Sequence, residues 1–168
     1  MKKSSLGIAV AGLGTVGIGV LEIIKKHSNL ISQRCGKEIK IVSICAKDIN
    51  KKRKIPLDSY IWEKDVSKLP ISNDVNAVIE LIGGSDGIAL ELVESSLKAK
   101  KNVITANKAL IAKHGNRLIN IAEENNVLLK FEASVAGGIP CIKTISESLS
   151  SNKIKKVMGV LNGTCNYI

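Results

Sequence analysis

The sequence predicts an α/β fold in which a doubly wound parallel β-sheet carries helices on both faces. Along the 168 residues, apolar segments of strand length alternate with segments of helical period, and the connections between them are short. This alternation is typical of parallel sheets, because a crossover between two parallel strands usually runs through a helix. Hydrophobic residues make up 45% of the chain and aromatic residues only 2%. The core must therefore consist of Ile, Val, Leu and Ala, which suits strands that are buried on both faces.

The predicted strands are short aliphatic runs. They cover residues 6–11, 39–46, 76–82, 102–105, 127–132 and 153–161. The helix after the first strand has one apolar face, formed by Val16, Val20, Ile23, Ile24 and His27. Further helices are predicted over residues 86–100, 108–125 and 140–149, the last with Pro140 in its first turn, where a missing N–H costs nothing. Residues 56–70 are predicted as a loop with some helix around Trp62.

The net charge of +10 raises the question of a nucleic-acid partner. The basic residues are spread along the chain, however, and only four aromatic side chains are available to stack on bases. A basic domain also fits a ligand that carries several phosphates. Positive charge can also serve solubility alone, so the net charge by itself decides little. Together with the motifs below, it leads us to expect a small-molecule ligand and no nucleic acid.

The N-terminus imitates a signal peptide, because Lys2 and Lys3 precede an apolar run over residues 6–21. Five glycines interrupt that run, and it is shorter than the roughly 20 residues that a membrane span requires. The four cysteines form no CxxC pair, so we interpret them as reduced, mostly buried thiols. These features predict a cytoplasmic protein without a membrane segment.

The first candidate site is a glycine-rich turn between the first strand and the first helix. It reads Gly12-Leu13-Gly14-Thr15-Val16-Gly17. In a Rossmann-type fold the first glycine permits a tight turn, the second lets the backbone approach a pyrophosphate, and the third lets helix and strand pack closely. The free N–H groups at the start of the helix then face the phosphates. The turn predicts dinucleotide binding, although a glycine turn can also serve packing alone.

The end of the second strand bears on which dinucleotide is bound. NAD-binding domains usually place an acidic residue there, where it accepts hydrogen bonds from the ribose 2′-hydroxyl. Here Lys47 comes first, followed by Asp48, with Lys51, Lys52 and Arg53 close behind. Positive charge favours a 2′-phosphate and therefore NADP(H), while Asp48 leaves NAD(H) possible. A solvated basic loop without a ligand is the alternative.

Two further candidates follow later strands. Lys108 comes directly after the strand at 102–105, so its ammonium would emerge where ligands bind, at the carboxyl ends of the strands, and could stabilise charge on a substrate carbonyl. Taken alone, such a lysine is more often a solvated surface residue. The segment from Glu132 to Pro140 offers one carboxylate and several main-chain carbonyls that could enclose a hard cation. Residue chemistry alone favours a simple loop that leads into a helix.

Longer motifs resemble the homoserine dehydrogenase family. AGLGTVG, VIELIGG, NVITANKALIAKHG, FEASVAGGIP and GVLNGTCNYI occur in the family's order and at similar intervals, and they span nearly the whole chain. The resemblance implies cofactor contacts at Leu13, Thr15, Val16 and Lys47, with Ser85 on the nicotinamide side. It implies that Lys108 is the active-site lysine at the junction of cofactor and substrate. It also implies a monovalent cation site, usually sodium, at Glu132 and the carbonyls of Val135, Gly137 and Ile139.

The family interconverts L-aspartate 4-semialdehyde and L-homoserine, a step towards threonine and methionine, with NADPH as the hydride donor in the biosynthetic direction. The resemblance divides the chain into an NAD(P)-binding domain at residues 1–150 and the start of a substrate domain at 151–168. It places the substrate glutamate, a second catalytic lysine and a nearby aspartate beyond this sequence, so we expect the isolated chain to bind nucleotide without turning over homoserine. The complete enzyme is expected to be a homodimer or homotetramer. A dehydrogenase for another small substrate and a non-catalytic nucleotide sensor are the alternatives.

Overall fold

The computed structural model of the protein describes residues 5–137 and 139–159. It contains a six-stranded sheet in the order β3-β2-β1-β4-β5-β6, in which every described pairing is parallel. The strands are β1 (Ser5–Ala11), β2 (Glu38–Cys45), β3 (Ile61–Trp62), β4 (Ala77–Glu80), β5 (Asn102–Thr105) and β6 (Leu129–Lys130). The helices are α1 (Thr15–Lys26), α2 (Ser28–Cys35), α3 (Ile88–Lys98), α4 (Lys108–Glu124) and α5 (Cys141–Lys143). The predicted doubly wound α/β fold is confirmed.

The strand order reverses at β1, which pairs with β2 on one side and with β4 on the other. Ala11, the last residue of β1, lies opposite both Cys45 and Glu80, and Glu80 in turn lies opposite Thr105. The carboxyl ends of these four strands therefore meet at one edge of the sheet. In open α/β sheets, ligands bind outside this edge, at the position where the strand order reverses.

The core fills both faces of the sheet. On one face, Ile8 and Val10 of β1 pack with Leu21 of α1. On the other, Ala9 and Ala11 pack with Leu92 of α3. The side chains of β1 alternate between these layers, as the period of two residues in a strand requires. A third cluster joins α3 and α4 over β5. The central strands are thus held from both sides, and their carboxyl ends form a rigid platform.

Two local predictions around the edge strand need correction. Trp62 lies in β3, which pairs with β2, and not in a helix as predicted. The helical turn comes four residues later, as a 3₁₀ helix over Val66–Ile71 that begins after the cap residue Asp65. Helix α2 was not predicted, because Ile31 is its only half-buried apolar residue and leaves no period to detect. Its end is marked by Gly36 in the left-handed conformation.

The C-terminal third also departs from prediction. Of the strand predicted at 127–132, only Leu129–Lys130 pairs with β5. The helix predicted over 140–149 consists of α5 and a π-helical turn at Thr144–Ser148. The strand predicted over 153–161 is wrong for residues 153–159, which are exposed and pair with none of the described strands. Residues 160 and 161 lie outside the described part of the chain.

Within residues 5–137 and 139–159, no helix is long and apolar enough to cross a membrane. Among the described cysteines, Cys35, Cys45 and Cys141 are free thiols. Cys45 is buried, Cys141 is half-buried and Cys35 is exposed. The prediction that most of the thiols are buried is therefore wrong for the described cysteines. Cys165 lies outside the described residues.

Candidate nucleotide-binding site

The glycine-rich turn is held tightly against two neighbouring strands. The N–H of Gly12 donates to the carbonyl of Cys45 at 2.8 Å, and the N–H of Leu81 donates to the carbonyl of Ala11 at 2.7 Å. Gly12 has a φ of 96°, in the region that favours glycine. A Cβ atom there would lie 2.3 Å from the carbonyl oxygen of Leu81. Only glycine fits this position, and the turn is fixed where β1, β2 and β4 end.

The other two glycines of the turn have opposite surroundings. A Cβ atom on Gly17 would lie 2.0 Å from the carbonyl oxygen of Gly12, so α1 packs closely against the turn. A Cβ atom on Gly14 would meet nothing within 4 Å. Gly14 is the N-cap of α1, has no side chain to cap the helix, and precedes a first turn without acidic residues. The positive end of α1 therefore opens onto free space, which is the arrangement that binds phosphate groups.

That space is part of a cleft of about 1020 Å³ at the carboxyl edge of the sheet. Of the residues predicted to bind the cofactor, Gly12, Leu13, Gly14 and Lys47 line it. The other predicted contacts do not line it: they are Thr15, Val16 and Gly17 in the first turn of α1, and Ser85 and Lys108 after β4 and β5. The cleft is thus lined by the glycine-rich turn and by the basic residues after β2, and it extends to Leu81 and Ile82 after β4.

Basic side chains surround the β2 end of the cleft. Lys47, Lys51, Arg53 and Lys64 line it, together with acidic residues at Asp48, Asp65 and Glu91. The hydroxyl and backbone N–H of Ser67 both donate to Asp65, which holds the pKa of that carboxyl below its usual value. Asp48 accepts the N–H of Asn50 at 2.9 Å within its own loop.

Arg53 fastens the loop after β2 to the glycine turn, a role that the sequence did not predict. Its guanidinium donates to the carbonyls of Asp48 at 2.7 Å, Lys51 at 2.9 Å and Leu13 at 3.5 Å. The same group stacks over the ring of Trp62, 5.2 Å from its centre. The only signal in the sequence was the basic stretch itself. In the fold, this arginine is half-buried and held by its carbonyl partners, whereas Lys51 and Lys52 beside it are exposed.

A second feature that sequence reasoning missed is the buried carboxyl group of Glu80 at the end of β4. Glu80 is 0% exposed. One of its oxygens accepts the N–H groups of Ile82 at 2.7 Å and Gly83 at 3.1 Å, and the other accepts the hydroxyl of Thr105 at 2.5 Å. The signal was a single acidic residue inside an otherwise apolar strand.

Ser85 lies in the loop between β4 and α3. Its hydroxyl donates to Asp86 at 2.6 Å. Asp86 also accepts bonds from Lys113 of α4, at 2.7 and 2.8 Å, and its Oδ1 lies 3.0 Å from the ring nitrogen Nε2 of His114. The Lys113 ammonium, followed by Ser85 and His114, holds the pKa of Asp86 well below its usual value. This cluster, in which Asp86 and Lys113 are exposed and Ser85 and His114 are half-buried, ties the loop to α4.

Lys108 is the first residue of α4 and is exposed, directly after the end of β5. Asn107 is the N-cap of this helix, and its side-chain oxygen accepts the N–H of Leu110 at 3.1 Å. The cap fixes where α4 begins, and hence where Lys108 leaves the sheet.

The sequence matches two family models. Residues 12–132 match the one described as homoserine dehydrogenase, NAD binding domain. The chain belongs to the homoserine dehydrogenase family. Residues 140–168 match a second model, described as homoserine dehydrogenase. The first match begins at the glycine turn, directly after β1, and ends at Glu132, so it contains the carboxyl ends of β2, β4 and β5.

Individual members of the homoserine dehydrogenase family agree with this assignment. The enzyme of Neisseria gonorrhoeae is 43% identical over 168 residues, which are 100% of this chain and 38% of the relative. The crystal structure of the Thiobacillus denitrificans enzyme has a TM-score of 0.88 and 35% identity, over 98% of this chain and 38% of that one. A hyperthermophilic archaeal homoserine dehydrogenase in complex with NADPH has a TM-score of 0.69 and 25% identity, over 84% and 48%. This chain therefore spans about two fifths of the length of such relatives.

The cation-binding segment that the family resemblance implies is partly engaged in local bonds. The two carboxylate oxygens of Glu132 accept the N–H groups of Ile142 at 3.1 Å and Lys143 at 2.7 Å. The carbonyl of Ile139 accepts the N–H of Cys141 at 2.8 Å. Gly137 has a φ of 62° and Val135 donates its N–H to the carbonyl of Glu132 at 3.1 Å. Among the described residues, no group of three His, Cys, Asp or Glu side chains could hold a metal ion.

Proposed function

We propose that this chain is the NAD(P)-binding part of a homoserine dehydrogenase, which interconverts L-aspartate 4-semialdehyde and L-homoserine. The observation that carries the proposal is the open N-terminus of α1, with free space in front of Gly14 at the point where the strand order reverses. The match of residues 12–132 to the family's NAD-binding domain supports it.

In this proposal the nicotinamide cofactor supplies or accepts the hydride when it is bound. The N–H groups at the start of α1 bind the pyrophosphate, and the ends of β1 and β2 orient the adenosine half. Lys108 leaves the sheet after β5, where its ammonium can donate a hydrogen bond to the reacting oxygen of the substrate. A positive charge there stabilises the negative charge that develops on a carbonyl oxygen during hydride transfer.

The preferred cofactor in this proposal is NADP(H). Lys47 and Lys51 line the cleft at the end of β2, and Arg53 is fixed beside them by its carbonyl partners. Together they offer a 2′-phosphate several positive groups, which outnumber the single carboxylate of Asp48 in the same loop. The archaeal homoserine dehydrogenase that was solved with NADPH supports the choice.

Calorimetric titration of the chain with NADPH and NADH tests the cofactor assignment. Replacing Lys47→Asp should weaken NADPH binding at least about tenfold, because a charge-assisted hydrogen bond to phosphate is lost and repulsion is added. NADH binding should change little. Lys37→Asp is the control, since this exposed residue precedes β2 at the opposite edge of the sheet and makes the same change in net charge. Equal binding of both nucleotides by the wild type would refute the NADP preference.

The reaction is tested in a chimera in which this chain replaces the corresponding part of the Neisseria gonorrhoeae relative. The expected result is homoserine-dependent reduction of NADP⁺, followed by absorbance, with loss of turnover in the Lys108→Ala variant. The chain alone should bind nucleotide but give no turnover. A chimera that folds, binds NADPH and remains inactive with homoserine would favour a dehydrogenase for another substrate.

A monovalent cation, sodium by preference, is the second ligand of this proposal. The carboxylate of Glu132 would hold it together with the carbonyls of Val135, Gly137 and Ile139. An all-oxygen donor set suits a hard cation, and a carboxylate that accepts two N–H groups still has free lone pairs. Sodium should then raise the melting temperature more than choline at equal ionic strength, and Glu132→Gln should abolish the difference. Equal effects of the two salts would refute the site.

A further inference from the structure

The carboxyl group of Glu80 occupies a position where the sheet itself requires an apolar side chain. The rest of β4, Ala77, Val78 and Ile79, is apolar and buried, and Glu80 is fully buried beside them. A carboxyl group inside a protein is stable only when its oxygens receive hydrogen bonds. The two oxygens of Glu80 accept three hydrogen bonds, and two of these come from backbone N–H groups of the loop that follows β4. The carboxyl group therefore stabilises the conformation of that loop.

The loop after β4 contains two glycines that give its backbone high conformational freedom. Gly83 and Gly84 both have positive φ angles, of 86° and 82°, and a Cβ atom on either would meet nothing within 4 Å. Two adjacent glycines carry the largest conformational entropy of any pair, so the loop has little stiffness of its own. Glu80 fixes its start through Ile82 and Gly83.

Asn107 fixes the other end of the loop. Its side-chain N–H donates to the carbonyl of Gly84 at 2.6 Å, while its backbone N–H donates to the hydroxyl of Thr105 at 3.0 Å. The bonds Glu80–Thr105, Thr105–Asn107 and Asn107–Gly84 therefore form one chain across β4, β5 and the start of α4. We call these three residues, Glu80, Thr105 and Asn107, the buried brace. Lys108 follows the brace directly in sequence.

We propose that Glu80 is a positioning residue that, through the buried brace, sets the loop of residues 81–85 against the nicotinamide half of a bound dinucleotide. A dinucleotide on such a sheet crosses from β1 and β2, which hold its adenosine half, to the strands on the other side of the reversal. Here the first strand on that side is β4, and Leu81 and Ile82 after it line the cleft. The inference rests on the proposed function, since it requires a dinucleotide in the cleft.

Comparing the affinities of two ligands distinguishes a positioning role of Glu80 from a general loss of structure. NADPH spans both halves of the cleft, whereas 2′-phospho-ADP-ribose has the same phosphates and adenosine but lacks the nicotinamide. Replacing Glu80→Gln removes the acceptor of the Thr105 hydroxyl, because the amide group that takes the place of one carboxylate oxygen donates and does not accept. Asn107→Asp removes the donor to Gly84 and places a carboxylate oxygen opposite that carbonyl, while Asp remains an equally good N-cap for α4. Ser96→Ala is the control, because it deletes a buried hydroxyl of α3 whose bond to the carbonyl of Leu92 lies away from the loop.

Calorimetry on wild type and variants, with melting temperatures measured in parallel, is the test. The expected result is that Glu80→Gln and Asn107→Asp weaken NADPH about tenfold and change 2′-phospho-ADP-ribose less than twofold, about what the loss of one hydrogen bond predicts. Ser96→Ala should lower the melting temperature and alter neither affinity. If the Glu80→Gln variant does not fold, the affinities of the Asn107→Asp variant for the two ligands provide the test.

Four results would overturn the inference. Equal losses for both ligands mean that the brace is only structural, and unchanged NADPH affinity means that the loop does not meet the nicotinamide. A wild type that binds both ligands equally well also contradicts contact with the nicotinamide. If the wild type binds neither ligand, the proposed function fails and the inference fails with it, which is distinguishable from the other results.

Discussion

The close packing of α1 against the glycine turn predicts opposite effects for two alanine substitutions in one helix. In the Gly17→Ala variant, the new Cβ atom would lie 2.0 Å from the carbonyl oxygen of Gly12, whereas ordinary contact begins at 3.4 Å. Helix and turn must therefore move apart by about 1.4 Å, and both are backbone that is fixed by other bonds. A Gly19→Ala methyl would meet nothing within 4 Å.

The free-energy difference follows from these contacts. Alanine in place of glycine favours a helix interior by about 1 kcal/mol in both variants, so this contribution cancels between them. Overpacking at Gly17 costs about 1–3 kcal/mol, and Gly19→Ala carries no such cost. Gly19→Ala should stabilise the chain, and Gly17→Ala should melt about 2–12 °C below it.

Urea unfolding followed by far-UV circular dichroism, together with thermal melts, measures this difference. The glycine turn should also lose its shape in Gly17→Ala, so NADPH affinity should fall there and stay unchanged in Gly19→Ala. If the two variants were equally stable, the close approach of α1 to the turn would be wrong, and with it the placement of the phosphate site.

Three further predictions concern the edge of the sheet. Thr105→Val should cost about 1–3 kcal/mol in urea unfolding, because the buried carboxyl group of Glu80 loses its hydroxyl donor; an unchanged midpoint would contradict the buried brace. Asp86→Asn should lower stability at pH 7, and the deficit should shrink as the pH falls below 3.8, since the folded-state pKa of Asp86 is lowered and the carboxylate stabilises the fold only while it is ionised. The effect should be small and salt-sensitive because the side chain is exposed, and a deficit independent of pH would refute it. Arg53→Lys should speed hydrogen exchange of the amides at residues 48–53, because one ammonium cannot replace three guanidinium bonds; unchanged exchange would show that the loop does not depend on them.

The sequence predicted the parts of the fold whose cause is local. Strands β1, β2, β4 and β5 are aliphatic runs of strand length, and the spacing of Gly12, Gly14 and Gly17 already required a turn between a strand and a helix. Each of these signals lies within one continuous segment. For that reason the doubly wound architecture could be predicted from the sequence.

Apart from α2, the features that sequence reasoning missed or misplaced depend on distant partners. Trp62 is in a strand because β2 offers it an edge to pair with, and residues 153–159 pair with no described strand. Glu80 and Thr105 are 25 positions apart and meet only because β4 and β5 are neighbours. Arg53 reaches Leu13 across 40 positions. Candidate residues at the strand ends could be predicted from the sequence, but the hydrogen bonds that fix their positions could not.

The most direct test of the central claim, that a dinucleotide lies over the glycine turn, is a calorimetric titration of NADPH into the wild type and the Gly14→Ala variant. The φ of Gly14 is −78° and its ψ is −163°, a conformation open to alanine, and the added methyl meets no protein atom within 4 Å. The variant should therefore fold with a melting temperature within about 4 °C of the wild type, the cost of a weaker N-cap. It should bind NADPH at least about tenfold more weakly, because the methyl occupies the space that the pyrophosphate needs. Equal affinity in the two proteins, or no binding to the wild type, would contradict the account.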